Sequence, residues 1–162
     1  MKGGGKFLTV AQLAEACGPP WPEQHTVWIR RLRDLTNIGA VPVAGRNHEG
    51  TGRHRLYSPR IVPLAAVLLR LGDLGLQIGD ILPVSELIRQ PRRTEQAVKQ
   101  AWHHALTLAF PDAWLAVAPM PKESGVYFES GIGPIALEHS SPDEPDAWSI
   151  VNLSSTFRKL KL

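Results

Sequence analysis

The chain has 162 residues, 43% of them hydrophobic and 20% charged, enough to bury the core of one medium domain or of a small domain with an appendage. No apolar run reaches the roughly 18 residues of a membrane helix, because Arg70 and Asp73 break the longest one, Ile61 to Leu76; Met1 to Lys6 lacks the apolar core of a signal peptide. The expectation is a cytoplasmic protein.

The net charge of +3 conceals an asymmetry. Residues 1–93 carry thirteen Lys and Arg against seven Asp and Glu, whereas residues 94–162 carry five against eight. The basic half is the one suited to a polyanionic partner, because neutralising phosphates releases counterions, although a solvated surface has the same composition. The single cysteine, Cys17, excludes an internal disulfide and a multi-cysteine zinc site; it follows Val10, Leu13 and Ala14 at helical spacing, as a small core hydrophobe does.

In chain order, Thr9-Val10-Ala11-Gln12 reads as a capping box opening a short helix to about Ala16, stopped by Gly18-Pro19-Pro20. Pro22 suits the first turn of the next helix, about Glu23 to Asn37, with Trp28, Leu32 and Leu35 on one face and Thr26, Arg30, Arg33 and Asn37 nearly opposite. Two helices across a tight turn, the second with a cationic outer face, form a helix-turn-helix signal. Gly39 ends the helix. A hairpin is expected from Val41–Ala44 through the turn-rich residues 45–52 to Arg53–Tyr57, its cationic tip being a wing.

Ser58-Pro59 reads as a cap and first-turn proline, and Ile61, Leu64, Leu68 and Leu71 as the stripe of an amphipathic helix that Gly72 to Gly75 closes. A further helix, about Ile78 to Arg89, contains Pro83 and is expected as two pieces or one kinked piece. After Gln90 to Arg93, a helix from Thr94 to about Phe110 carries the stripe Val98, Trp102, Ala105, Leu106 and Ala109. Beyond Pro111, short strands are expected at Ala113–Ala118, Val126–Glu129, Ile135–Glu138 and Ser149–Leu153, with a last helix near Ser155 to Leu160. The fold class is α+β.

The order helix, turn, helix, wing, helix, helix, with Leu8 to Ala14 at its start, Asn37-Ile38-Gly39-Ala40-Val41 after the second helix, His54-Arg55-Leu56-Tyr57-Ser58 closing the wing and Leu71 to Ile81 between the later helices, resembles the MerR family of transcription regulators over about residues 7–89. The resemblance implies a winged helix-turn-helix DNA-binding domain at 7–90, a linking or dimerisation helix at 94–110 and a small β-rich effector or dimerisation region at 111–162. It further implies a homodimer on a palindromic operator in double-stranded DNA, with contact to RNA polymerase. Carried over by position, the DNA-binding set is Thr9, Gln24, His25, Thr26, Arg30, Arg31 and Arg33 from the first two helices and Arg46, Asn47, His48, Arg53, His54, Arg55 and Tyr57 from the wing. The dimerisation set is Val98, Trp102, Ala105, Leu106 and Ala109.

The chain departs from the family at Arg33-Asp34-Leu35, where members carry an arginine followed by two aromatics. It also lacks the cysteines with which several branches bind metal or sense redox state.

Independently of the resemblance, an arginine fork matches the two acceptors of a guanine edge and a Gln amide those of adenine. Each residue has a plainer alternative. Arg31 and Arg33 have Glu23, Asp34 and the next helix as partners, Tyr57 and Trp28 are candidates for the core, and the 94–110 helix is equally suited to the inside of the second half. Trp114, Tyr127, Phe128 and Trp148 are either a pocket lining or core aromatics. Adjacent His103 and His104 point in different directions, which disfavours a metal site, and no enzyme motif or cofactor signature is present. The expected function is a sequence-specific transcription regulator, not an enzyme, with an architectural or accessory DNA-binding protein of a phage or mobile element as the alternative.

Overall fold

A computed structural model describes residues 7–44, 55–90, 96–107, 109–120, 126–135, 137, 145 and 147–161. Among these the chain forms helices α1 (Val10–Ala16), α2 (Pro22–Asn37), α3 (Val62–Asp73), α4 (Ile78–Arg89), α5 (Gln96–Leu106) and α6 (Leu153–Arg158). They are joined by strands β1 (Ala113–Pro119), β2 (Val126–Ile132) and β3 (Ser149–Asn152) in one antiparallel sheet of order β2-β1-β3. The fold is thus mixed helix and strand. None of these helices is long and apolar enough to cross a membrane.

The first two helices begin where local chemistry satisfies their free amides. The Thr9 hydroxyl accepts from the Gln12 amide, and the Gln12 side chain accepts from the Thr9 amide at 2.9 Å, closing the capping box over α1. Pro22 occupies the first turn of α2, where its missing N–H costs nothing. The chain leaves α2 through Gly39 at φ +82°, and the amides of Ala40 and Val41 turn back onto the Leu35 carbonyl.

The expected wing is only partly described. Val41–Ala44 does not form the expected strand: Pro42 has no N–H to donate, and the described pairing of this limb with the other is the Ala44 amide on the Leu56 carbonyl at 2.7 Å. Tyr57 instead bridges antiparallel to Leu8, exchanging two bonds of 2.8 and 2.9 Å. Arg46, Asn47, His48, Arg53 and His54 lie outside the described residues.

The helix α3 is the hub. Expected to be amphipathic, it is buried nearly all round, from Val62 and Leu64 through Leu71, because α1, α2 and α4 pack against it along with α6 and β3 from the second half. The helix α4 is continuous through Pro83, and the buried Ser85 hydroxyl donates to the Ala40 carbonyl at 2.5 Å, tying it to the turn after α2. One hydrophobic cluster includes Leu13, Trp28, Leu68, Ile81, Leu115 and Phe157, so the two halves share a core.

In the second half, α5 is shorter than expected, and it packs on β1, β2 and α6. Val98 and Ala105 are buried in that packing, and the Trp102 ring meets Phe157 edge to face, with centroids 4.9 Å apart. These three residues, expected at a dimer interface, serve the interior of their own chain because a sheet lies against the stripe. Leu106 is exposed and Ala109 lies beyond the helix, half-buried. The strand β2 runs three residues further than expected, to Ile132. Gly133 at φ +99° and Pro134 then end the sheet, and the described residues Ile135 and Leu137 carry no strand. The Asn152 side chain accepts from the Ser155 amide at 2.7 Å and so starts α6 two residues earlier than expected.

The residues after α6 are clasped to the end of α1. The Lys161 amide donates to the Ala16 carbonyl at 2.9 Å, Lys161 pairs with Glu15, and the Lys159 backbone closes over Gly18 so tightly that a Cβ there would lie 2.2 Å from its carbonyl oxygen.

Candidate nucleic-acid interface

The helix α2 turns its apolar side to the core and its polar side to solvent, and side-chain bonding divides its polar residues further. Asp73, at the end of α3, accepts from Gln24 Nε2 at 2.7 Å, from the Trp28 indole at 3.1 Å and from Arg31 at 2.6 Å. Arg31 reaches the Leu69 carbonyl as well, at 3.3 Å. Arg70, one turn before the end of α3, lays its guanidinium 4.9 Å from the centre of the Trp28 ring and donates to the Gly18 carbonyl at 3.3 Å. His25 bonds the Ala11 carbonyl through Nε2 at 3.1 Å, so that nitrogen carries the proton. Thr9 caps α1. Gln24, His25 and Arg31, all in the expected DNA-binding set, thus hold helices together, and Thr9 of the same set starts α1.

Thr26, Arg30, Arg33 and Asn37 are exposed on successive turns of α2. Asn37 Oδ1 accepts from Arg55 at 2.7 Å. Arg55 belongs to the returning limb of the loop, so this bond brings the limb's cation to the end of the α2 row. The row spans roughly 16 Å at the helical rise of about 1.5 Å per residue, on a helix that packs against α1, α3 and α4. Among the described elements of the second half, α5, α6 and the strands are not among those that α2 packs against.

Tyr57 takes the core alternative and not the backbone contact that the resemblance implied. It is fully buried, and its hydroxyl meets Thr36 Oγ1 at 3.0 Å; Thr36 gives its own proton to the Leu32 carbonyl at 2.7 Å, so Tyr57 donates. The bridge to Leu8 turns the ring inward, which removes it from any surface contact.

Beside the row, an open cleft of about 420 Å³ is lined by Val27, Leu76, Ile78 and Ile81 together with Arg30 and Asp34. Sequence reasoning placed Asn37 on the outer face of α2 without giving it a partner, and it did not single out Asp73. A carboxylate beside two glycines reads as a turn residue, and only the pairing of α2 with α3 shows what it faces.

Elsewhere, burial holds the Cys17 thiol well above its ordinary range, which keeps it protonated and unreactive. The Trp114 ring covers Gly131, where a Cβ would lie 2.8 Å from it, and the indole nitrogens of Trp114 and Trp148 meet no partner among the described residues. His104 bonds the Pro111 carbonyl at 2.6 Å and His103 is exposed. Among the described residues no group of three or more His, Cys, Asp or Glu is arranged to hold a metal ion. Compared with known proteins, the chain matches no family, no curated protein and no solved structure.

Proposed function

We propose that the protein is a sequence-specific DNA-binding transcription regulator and not an enzyme. In this reading residues 7–90 act as a MerR-like winged helix-turn-helix, with α2 entering the major groove and the loop after it lying along the backbone. The observation that carries it is the Arg55–Asn37 bond, which extends the exposed row of Thr26, Arg30 and Arg33 with a cation from the loop. A helix and an adjoining loop that offer cations on one exposed surface suit a duplex, whose phosphates and base edges lie side by side.

The bound form in this reading is a homodimer on a palindromic operator. Since Val98, Trp102 and Ala105 are engaged within the chain, the pairing surface lies elsewhere in this reading, and among the described residues Leu106 at the end of α5 and Phe110 just beyond it are exposed apolar residues suited to it, at 48% and 91%. A mobility-shift titration of genomic fragments against bulk competitor DNA tests the reading. Preference for particular fragments supports it, and uniform binding to all of them counts against sequence-specific regulation. A promoter fusion carrying a preferred fragment then separates a regulator, which changes expression, from an architectural protein, which does not.

A further inference from the structure

Arg30 and Arg31 are neighbours on α2, about 100° apart around the helix axis, and their surroundings differ accordingly. Arg30 is exposed. Arg31 is held from three sides. Its guanidinium bonds Asp73 at 2.6 Å and the Leu69 carbonyl at 3.3 Å, and its stem lies on Gly72, where an added Cβ would stand 3.0 Å from Cδ and 3.1 Å from Cζ and Nε. Gln24, the other residue of α2 with a base-reading side chain on this flank, is bonded to the same carboxylate at 2.7 Å. The Trp28 indole fills a further acceptor position on it at 3.1 Å.

We infer that Asp73 is a positioning residue that limits how many phosphates α2 can neutralise: by holding Arg31 and Gln24 against α3, it leaves Arg30 and Arg33 as the helix's cations for the duplex. The inference rests on the DNA-binding reading above. Each phosphate neutralised steepens the dependence of log Kobs on log salt by about 0.9, so a released Arg31 has a countable effect. The glycine at 72 is part of the device: an added Cβ needs the Arg31 side chain to give by a few tenths of an ångström, and a bulky side chain such as leucine competes with it for its seat.

The test is the salt dependence of binding to a mixed-sequence duplex, measured for the unmodified chain, Asp73→Asn, Asp73→Asn combined with Arg31→Gln, and Gly72→Leu. Asp73→Asn is expected to steepen the slope by about 0.9 and to narrow the preference for a specific site over bulk DNA. Arg31→Gln in that background returns the slope to its starting value. Gly72→Leu steepens it to a similar extent with no change in formal charge, and it carries the test should Asp73→Asn fail to fold, since Asp73 keeps Gln24 and Trp28. A slope unchanged in Asp73→Asn and Gly72→Leu overturns the inference alone. So does a steepening that persists without Arg31, which would mark the loss of a repelling carboxylate. An unmodified chain that binds no duplex overturns the DNA-binding reading, and the inference with it.

Discussion

Gly18 is the point where the beginning and end of the chain constrain each other, and Gly18→Ala measures that constraint. Two effects act together. At φ +67° an L-residue pays the left-handed penalty of about 1–2 kcal/mol. The new methyl would also lie 2.2 Å from the Lys159 carbonyl oxygen, a backbone atom that no side-chain rotation can move aside. The tail must lift, which removes the bond from the Lys161 amide to the Ala16 carbonyl, worth about 0.5–1.5 kcal/mol net. The expected loss is therefore about 1.5–3.5 kcal/mol, or roughly 3–14 °C in Tm for a chain of this size. Denaturant unfolding followed by tryptophan fluorescence reads it directly. In a chain shortened to end at Arg158 the clash is absent, and only the backbone penalty of about 1–2 kcal/mol should remain. A cost under about 0.5 kcal/mol in the full chain, below any of the contributions above, or an equal cost in both lengths, refutes the reasoning that the tail is seated on the α1 turn.

Arg30→Ala should weaken binding to a preferred fragment by about 5- to 150-fold, the equivalent of about 1–3 kcal/mol, and binding to competitor DNA by less; equal losses in a mobility shift remove Arg30 from base readout. Tyr57→Phe should cost about 0.5–1.5 kcal/mol of stability by denaturant unfolding, through the lost bond to Thr36, and leave DNA affinity unchanged. A drop in affinity with the fold intact returns Tyr57 to the interface.

Acid should weaken the fold through two exposed carboxylates. The hydrogen bond and charge of Lys161 hold Glu15 below the usual carboxylate range, and hydrogen bonds from Asn152 and Arg158 do the same for Asp112. With folded values below unfolded ones, their stabilisation is complete above the ordinary carboxylate pKa of about 4 and is lost as pH falls through the lowered values. Thermal melts from about pH 6 to pH 3 should show a decline that Asp112→Asn makes shallower and added salt flattens. An identical decline in Asp112→Asn contradicts the assignment.

Much of the element order was legible because it rests on short-range chemistry. The Thr9–Gln12 capping box, Pro22 in the first turn of α2, Gly39 after it, and the strands starting at Ala113, Val126 and Ser149 need nothing beyond their immediate neighbours in sequence. The misreadings share a different cause. The stripe of α5 announced that the helix had a partner without saying which, and a sheet formed from residues further along the chain took that place. The family resemblance put Tyr57 among the wing contacts while the residue itself left core packing open, and its bridge to Leu8, about fifty positions away, turns the ring into the core. Among the cations of α2, spacing placed Arg30 and Arg33 on the outer face and left Arg31 and Arg33 with several candidate partners, but could not tell that Asp73 would bind Arg31.

The amino-acid sequence by itself determined where α1, α2, α4 and the three strands begin and that the first half is basic, since caps, turns and periodicity act over a few residues. Tertiary structure decided which of those cations stay exposed, through Asp73 on α3 and Asn37 beneath Arg55, and that both halves share one core around α3. Those outcomes depend on contacts between residues some twenty to fifty or more positions apart, and nothing local to either partner encodes the meeting.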